Sequence, residues 1–371
     1  MSFKEPKVAL VYDRVNKWGG AERLLLQIHQ VFPEAPLYTL VHQPSSSAWA
    51  NVFKVIPTFF NKFKYLQSRH ELLAPFASLA FEQFNFKQYD VVISVTSAEA
   101  KSILTIPQTL HLCYCLTPTR YYWSGYEEYL GGSFSSIKKF IARKLKKLDL
   151  IDSARPDVYI GISNEVKNRI KKYYQRDSEV VYPGIEQKFF ESERIKRNDQ
   201  YLYVSRMVGY KKPQMVVEAF NLSGKKLVMV GTGHLITSLR RIAKSNITFL
   251  EIVSDERLHQ LYQESKALVF SAHEDFGLVP LEAMACGCPV IAYKAGGALE
   301  TVKESVSGVF FNQQTTSSLN KAINKFELLH LSHDQIVSHA RNFSQENFHK
   351  EFRAKVLSAW RRHQEINTLS S

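Results

Sequence analysis

Residues 266–293 read KALVFSAHEDFGLVPLEAMACGCPVIAY. The apolar run Lys266–Ala272 has the length and composition of a buried strand, and Pro289–Tyr293 repeats it. Between them, Gly277 permits a tight turn and Pro280 suits the first turn of a helix running to Ala285. The stretch is a strand–helix–strand unit that sets two carboxylates, Glu274 and Glu282, eight positions apart across a loop-to-helix transition. Glu274 falls at the carboxyl end of the strand, where open α/β sheets bind ligands, and Glu282 falls within the helix. The backbone amides of Phe276, Gly277, Leu278 and Val279 lie at the start of that helix, placed to meet an anion.

The same alternation extends in both directions. Upstream it comprises the strands Tyr201–Ser205, Lys225–Gly231 and Thr248–Leu250, with helices Pro213–Phe220, His234–Lys244 and Asp255–Glu264 between and after them. An earlier series comprises strands Lys7–Tyr12, Asp90–Val95, His111–Cys115, Val158–Ile162 and Glu179–Tyr182, with helices Ala21–Val31 and Asn164–Tyr174. Repeated βα alternation predicts parallel, helix-covered sheets. The two series are separated by Pro183–Gln200 (PGIEQKFFESERIKRNDQ), rich in charge and poor in periodicity. The expected organisation is a first domain over 1–186, a second over 187–345, and a helical tail over 346–371 that returns to the first, with a cleft between the two doubly wound halves. Two stretches interrupt the alternation: the aromatic-rich Val52–Phe86, and Tyr121–Asp149, where YYWSGYEEYLGG precedes a basic helix.

A chain of 371 residues suits two domains of ordinary size. With 45% hydrophobic and 22% charged residues and no long apolar segment, it reads as globular. The run VALVY near the amino terminus is a buried strand and not a signal peptide, which predicts a cytosolic protein. A net charge of +13 calls for an anionic partner. Nucleic acid is disfavoured, because no recognised binding motif accompanies the basic clusters. The four cysteines, Cys113/Cys115 and Cys286/Cys288, lie in apolar segments without the spacing or the His pair of a zinc site, and are expected as free buried thiols.

Several further loops carry chemistry. Ser205–Lys212 (SRMVGYKK) places Arg206 and Lys211 just beyond a strand, where an Arg fork and a Lys point charge suit a diphosphate; a solvated loop is the plain alternative. Gly231, in Val230–Gly233 (VGTG), reads as a nucleotide-approach turn or as an ordinary βα turn. Ala295–Glu300 (AGGALE) is a second glycine turn before a helix. Gly19 and Gly20, in KWGGAE at 17–22, let amides at the first helix start face a ligand, or simply make the turn tight. Ser136–Lys147 (SIKKFIARKLKK) interleaves six cations with apolar residues at helical spacing, the pattern of an ordinary packed helix or of one lying on an anionic membrane.

Taken together, GGAE, SRMVGYKK, VGTG, HEDFGLVPLEAMACGCPVIA and AGGALE resemble the retaining glycosyltransferases of family 4, which have the GT-B fold of two Rossmann-like domains. The first half looks most like the branch of bacterial O-antigen and exopolysaccharide mannosyltransferases, through residues 70–102, LCYCLTPTRYYW at 112–123, ISNEVKNRIKKYY at 162–174 and VVYPGIE at 180–186. The resemblance implies that Arg206 and Lys211 hold a donor diphosphate, and that Glu274 meets the transferred sugar and Glu282 the ribose. It further implies that the amides of Phe276–Val279 meet sugar and phosphates, that Gly19 and Gly20 close from the first domain, and that Thr117 and Arg120 stand on the acceptor side. Configuration would be retained without a metal, which fits the absence of an Asp-x-Asp motif. GDP-mannose is the first donor implied and a UDP-hexose the second; the acceptor would be a polyprenyl-diphosphate-linked glycan, reached from the inner face of the cell membrane. One position departs from the branch: Leu116 stands where a His usually precedes Thr-Pro. That leaves open a degenerate donor-binding subunit. Non-hydrolysing sugar-nucleotide epimerases share the architecture but not the paired carboxylates with their cations.

Overall fold

The computed structural model describes residues 5–68, 70–123, 136–191 and 195–369. Of the aromatic stretch at 121–132, residues 124–132 lie outside the described residues, and of the basic helix the side chains of 136–141 do. The chain forms two compact units, Met1–Tyr182 with Phe348–Ser371, and Pro183–Asn347.

In the first unit the strands are β1 (Val8–Tyr12), β2 (Leu37–Thr39), β3 (Val55–Pro57), β4 (Val91–Thr96), β5 (Leu110–Cys115), β6 (Val158–Gly161) and β7 (Glu179–Val180). They form one parallel sheet in the order β3-β2-β1-β4-β5-β6-β7. Every residue of β1, β4 and β5 is buried, as a sheet covered on both faces requires. The aromatic stretch supplies much of that cover: Leu73, Ala77, Ala80, Phe81 and Phe86 join Ala9, Val11, Tyr38, Tyr89 and Val92 in one core.

The last helix runs over Gln345–Leu369, beginning one residue before the tail expected over 346–371. Phe348, Phe352, Val356 and Ala359 repeat at helical spacing and are buried. The rings of Phe348 and Phe352 lie 6.2 and 5.0 Å from that of Tyr114 on β5, and Phe352 also meets Phe32. Ion pairs from Lys355 to Glu179 and from Arg353 to Glu5 flank the stripe. This helix packs on the first unit, as the tail was expected to do.

The second unit holds β8 (Gln200–Val204), β9 (Lys226–Val230), β10 (Ile247–Leu250), β11 (Ala267–Phe270), β12 (Val290–Tyr293) and β13 (Gly308–Phe311). The sheet is again parallel, in the order β10-β9-β8-β11-β12-β13. Counted from its own first strand this is 3-2-1-4-5-6, the Rossmann order, with its reversal between β8 and β11. Tyr201, Phe220, Met229, Val269, Ile291, Phe311, Leu319 and Phe326 centre the core.

Helix limits follow side-chain caps where the sequence supplies them. Ser163 accepts from the Val166 amide at 3.1 Å ahead of helix Asn164–Tyr174, and Ser254 accepts from Arg257 at 3.2 Å ahead of helix Asp255–Glu264. Strands β2, β3 and β13 go beyond the alternation read from the sequence. Three or four residues are too short to show a period, and they are strands only because a parallel neighbour pairs with them.

His111 on β5 is fully buried, its Nε2 2.9 Å from Ser94 Oγ, and burial with the nearby Arg155 charge pushes its pKa down to about 3. Below its ordinary value near 6.5 the unfolded chain takes up a proton that the native ring refuses. Stability should therefore fall as pH drops, by up to roughly 1.4 kcal/mol per pH unit from this group. Urea unfolding between pH 6.5 and 5 should show a shallower fall for His111→Asn than for the parent; parallel slopes would refute this account.

Candidate active site

At the reversal point of the second sheet, the loop after β8 and the loop after β11 leave neighbouring strands side by side. Lys211 closes a short 3₁₀ turn, Gly209–Lys211, ahead of the helix Pro213–Ser223. Its carbonyl accepts from Tyr203 Oη at 3.0 Å and Ser271 Oγ at 2.7 Å, so one hydroxyl from each of the two strand ends fixes the turn. The Lys211 ammonium, buried, pairs with the Glu274 carboxylate, whose side chain keeps about a quarter of its surface exposed. Two residues 63 positions apart in the chain thus meet.

Arg206 is exposed and donates to Tyr210 Oη at 2.6 Å. The Tyr210 ring centroid lies 5.9 Å from the Arg206 guanidinium and 5.0 Å from Lys211 Nζ, so one aromatic ring neighbours both cations. Tyr210 was visible in SRMVGYKK, but nothing in the sequence distinguished it from a loop filler.

The helix Leu278–Ala285 begins after Gly277, whose φ of 95° is left-handed. Leu278 and Val279 keep partial exposure at its start, where first-turn amides lack intrahelical acceptors, while Phe276 is buried. Glu282 is buried within the helix, and its Oε2 accepts from Tyr262 Oη at 3.1 Å. Tyr262 is fully buried on the preceding helix, Asp255–Glu264, and gave no sequence signal because its spacing is that of any core residue.

The glycine turns hold these loops together. A Cβ on Gly231 would lie 2.0 Å from the Ser205 carbonyl oxygen, and the Met207 amide donates to Thr232 O at 2.8 Å, so the turn after β9 braces the Arg206 loop. This close packing of backbone on backbone explains Gly231 without any ligand. On the other side, the Gly297 amide donates to Glu274 O at 2.9 Å, and a Cβ there would lie 2.2 Å from Phe276 O.

In the first unit, Gly19 precedes the helix Gly20–Val31 in extended conformation, and its carbonyl accepts from Arg23 N at 3.1 Å. Gly20 is exposed, whereas Glu22 turns inward and accepts from Tyr12 Oη at 2.5 Å. After β5, Leu116 and Thr117 are buried; Thr117 Oγ1 accepts from Arg169 at 3.3 Å, and Arg120 is partly buried.

Around that loop lies a polar network that the sequence did not reveal. The Asp149 carboxylate accepts from Lys101 Nζ at 2.6 Å, Thr119 Oγ1 at 2.6 Å, Trp123 Nε1 at 2.7 Å and Tyr174 Oη at 3.0 Å. Burial penalises the Lys101 ammonium, but Asp149 outweighs it and holds the Lys101 pKa above its ordinary value. Beside it, Glu99 is buried, accepts from Tyr121 Oη, and pairs with Arg14 at 3.4 Å; burial raises its pKa, with Arg14 opposing. Among the described residues no group of His, Cys, Asp and Glu is arranged as a metal site, and all four cysteines are free and buried.

Residues 184–343 match the family described as Glycosyl transferases group 1. The α-1,3/1,6-mannosyltransferase ALG2 of Saccharomyces cerevisiae is 26% identical over 227 residues, 46% of this chain and 45% of that one. The N-acetyl-α-D-glucosaminyl L-malate synthase of Bacillus anthracis is 26% identical over 249 residues, 62% of each. The chain spans about half the length of the curated relatives it matches. Among solved structures, Anabaena Alr3699/HepE in complex with UDP-glucose superposes with a TM-score of 0.70 at 18% identity, covering 96% of this chain and 100% of that one. The lipopolysaccharide outer core galactosyltransferase WaaB superposes with a TM-score of 0.66 at 17% identity, covering 95% and 99%. The fold is therefore GT-B, with two parallel-sheet, Rossmann-like domains. The family match covers nearly the whole of the second unit.

Because Gly297 abuts backbone, Gly297→Ala should destabilise the second unit by about 1–3 kcal/mol through overpacking. Gly209→Ala, with nothing within 4 Å of its Cβ position, should stay within about 0.5 kcal/mol of the parent. Urea midpoints of the two variants test the contrast, and equal midpoints would remove the packing role assigned to Gly297.

Proposed function

We propose that this protein is a retaining, metal-independent hexosyltransferase. It moves a sugar, mannose from GDP-mannose in the first instance, from a nucleotide diphosphate donor to a growing lipid-linked surface glycan. The observation that carries the reading is the Lys211–Glu274 contact at the reversal point of the unit that matches group 1 glycosyl transferases. It brings a cation and a sugar-binding type of carboxylate to the edge where Rossmann sheets take nucleotides. The mannosyltransferase relative supports mannose, and the UDP-glucose complex of the Anabaena neighbour supports a UDP-hexose as the second choice.

In this reading Glu282, held by Tyr262, takes the ribose hydroxyls, and Glu274 takes hydroxyls of the transferred sugar. The amides of Phe276–Val279 meet sugar and phosphate at a helix start. Lys211 already has Glu274 as its counter-ion, so the net attraction for an arriving diphosphate comes chiefly from Arg206 and the helix dipole. As the bond from the anomeric carbon to phosphate oxygen breaks, negative charge grows on the diphosphate and positive charge on the ring. Arg206 and Lys211 stabilise the first and Glu274 the second. The acceptor hydroxyl attacks the same face and its proton passes to the departing diphosphate oxygen, which retains configuration. Thr117 and Arg120, both in the first unit, serve the acceptor.

A second reading, a donor-binding subunit that does not transfer, rests on Leu116. Where the resembled branch carries His, this chain buries an aliphatic side chain. The same assays separate the two. GDP should stabilise the protein in thermal unfolding, by about 2.7 kcal/mol at a hundredfold excess over its Kd. Glu274→Ala and Lys211→Ala should each lower transfer about a hundredfold or more with folding intact. Near-normal turnover in both variants would overturn the site assignment, and nucleotide binding without transfer in the parent would favour the second reading.

We place the protein on the inner face of the cell membrane, held peripherally through the helix Ser136–Asp152. No described helix is long and apolar enough to cross a membrane. In that reading each cation near an anionic surface contributes about 1 kcal/mol. Neutralising Lys138, Lys139, Arg143, Lys144, Lys146 and Lys147 together should abolish flotation with anionic liposomes; flotation equal to the parent would sink the idea.

A further inference from the structure

The sheet of the first unit has its own reversal point, between β1 and β4. Three polar side chains follow the strands there: Arg14 after β1, Glu99 after β4 and Tyr121 after the adjoining β5. Their surroundings are saturated. Asp13 takes Thr96 Oγ1 at 2.6 Å and the amides of Ser97 and Ala100 at 2.9 Å each, which ties the ends of β1 and β4 together. Lys101 gives its ammonium to Ala98 O, Thr119 Oγ1 and Asp149 Oδ1 at 2.5, 3.1 and 2.6 Å.

Arg14 differs. Its side chain is four-fifths covered, at 20% exposure, yet among the described residues the guanidinium makes one hydrogen bond, to Glu99 Oε2 at a loose 3.4 Å. A charged pair with good geometry closes to about 2.7–2.9 Å, and a guanidinium carries five N–H donors. Most of that donor capacity is left without a protein partner among the described residues, on a side chain that keeps a fifth of its surface open to solvent. Glu99 is held from its other oxygen by Tyr121 Oη, which among the described residues leaves Oε2 with only the loose Arg14 contact.

We propose that Arg14 and Glu99, with Tyr121 behind them, are specificity-determining residues that recognise hydroxyls of the acceptor sugar. This inference rests on the transferase reading above. A vicinal diol matches the pair: the guanidinium donates to one sugar oxygen while the carboxylate accepts the proton of its neighbour. Charge selects the sugar over a phosphate. Glu99 neutralises Arg14 and the Asp13 carboxylate lies next to it in sequence, so the local field is poor for a diphosphate and suited to a neutral polyol. The position suits the task as well, because ligands of open α/β sheets sit beyond the carboxyl ends of strands at such a reversal.

The test uses the full chain, with methyl α-D-mannopyranoside and methyl β-D-glucopyranoside as probes in saturation-transfer NMR, and GDP and UDP in parallel thermal unfolding. The parent should show saturation transfer from at least one glycoside. Arg14→Lys and Glu99→Gln should each weaken it about tenfold or more while the nucleotide-induced stabilisation is unchanged. Glu274→Ala should retain the glycoside signal, which separates this site from the donor sugar pocket. Parent-like transfer in both Arg14→Lys and Glu99→Gln would overturn the proposal, as would absence of transfer from both glycosides in the parent, or loss of transfer in Glu274→Ala. A parent that binds a glycoside but neither nucleotide would refute the donor reading and leave this site standing.

Discussion

The ion pair between Lys211 and Glu274 is the contact on which the candidate site depends. Each residue sits in a loop that leaves its own strand, and the loops meet because β8 and β11 are hydrogen-bonded neighbours on either side of the reversal in strand order. Buried opposite charges require close pairing and further anchoring if they are not to cost stability. Here the anchoring is in the backbone. Hydroxyls from Tyr203 and Ser271 hold the Lys211 carbonyl, and the Gly297 amide holds the Glu274 carbonyl. The turns at Gly231 and Gly297 are glycine because neighbouring chains pass where a Cβ would stand.

The first unit solves a different problem with a related device. Its strands end in loops that carry Lys101, Thr119 and Trp123, and all three converge on the carboxylate of Asp149 from the helix Ser136–Asp152, joined by Tyr174 from the helix Asn164–Tyr174. Four donors on one buried carboxylate make a rigid knot, and removing Lys101 would leave the Asp149 charge without its counter-ion at a cost of about 3–5 kcal/mol. The knot fixes the β4 and β5 loops, and beside it Arg14 stands with donor capacity to spare. The contrast between a closed network and an open one within the same sheet edge separates scaffold from ligand-binding potential.

Much of this architecture was legible in advance. Strands buried on both faces read as unbroken apolar runs with helical patterns between them, so β1, β4, β5, β8, β9 and β11 and the helices Asn164–Tyr174 and Asp255–Glu264 were recognisable. The two doubly wound units follow from the restart of alternation after the charged stretch at Pro183–Gln200, whereas GT-B itself was implied only by the family resemblance. The short strands β2, β3 and β13 were not legible, since pairing and not periodicity makes them strands.

For the site, the sequence by itself determined the chemistry available: a carboxylate at Glu274 past a strand, a second at Glu282 in the helix, cations at Arg206 and Lys211, and glycines where backbones must pass. Only the tertiary structure decided which of these meet. Spacing along a chain orders groups within one loop or helix, but strand order sets which loops are neighbours. Strand order brought Lys211 onto Glu274, Tyr262 onto Glu282, and Arg14 beside Glu99. Long-range pairing of strands that look alike in sequence is settled by the packing of the whole sheet, and no local pattern encodes it.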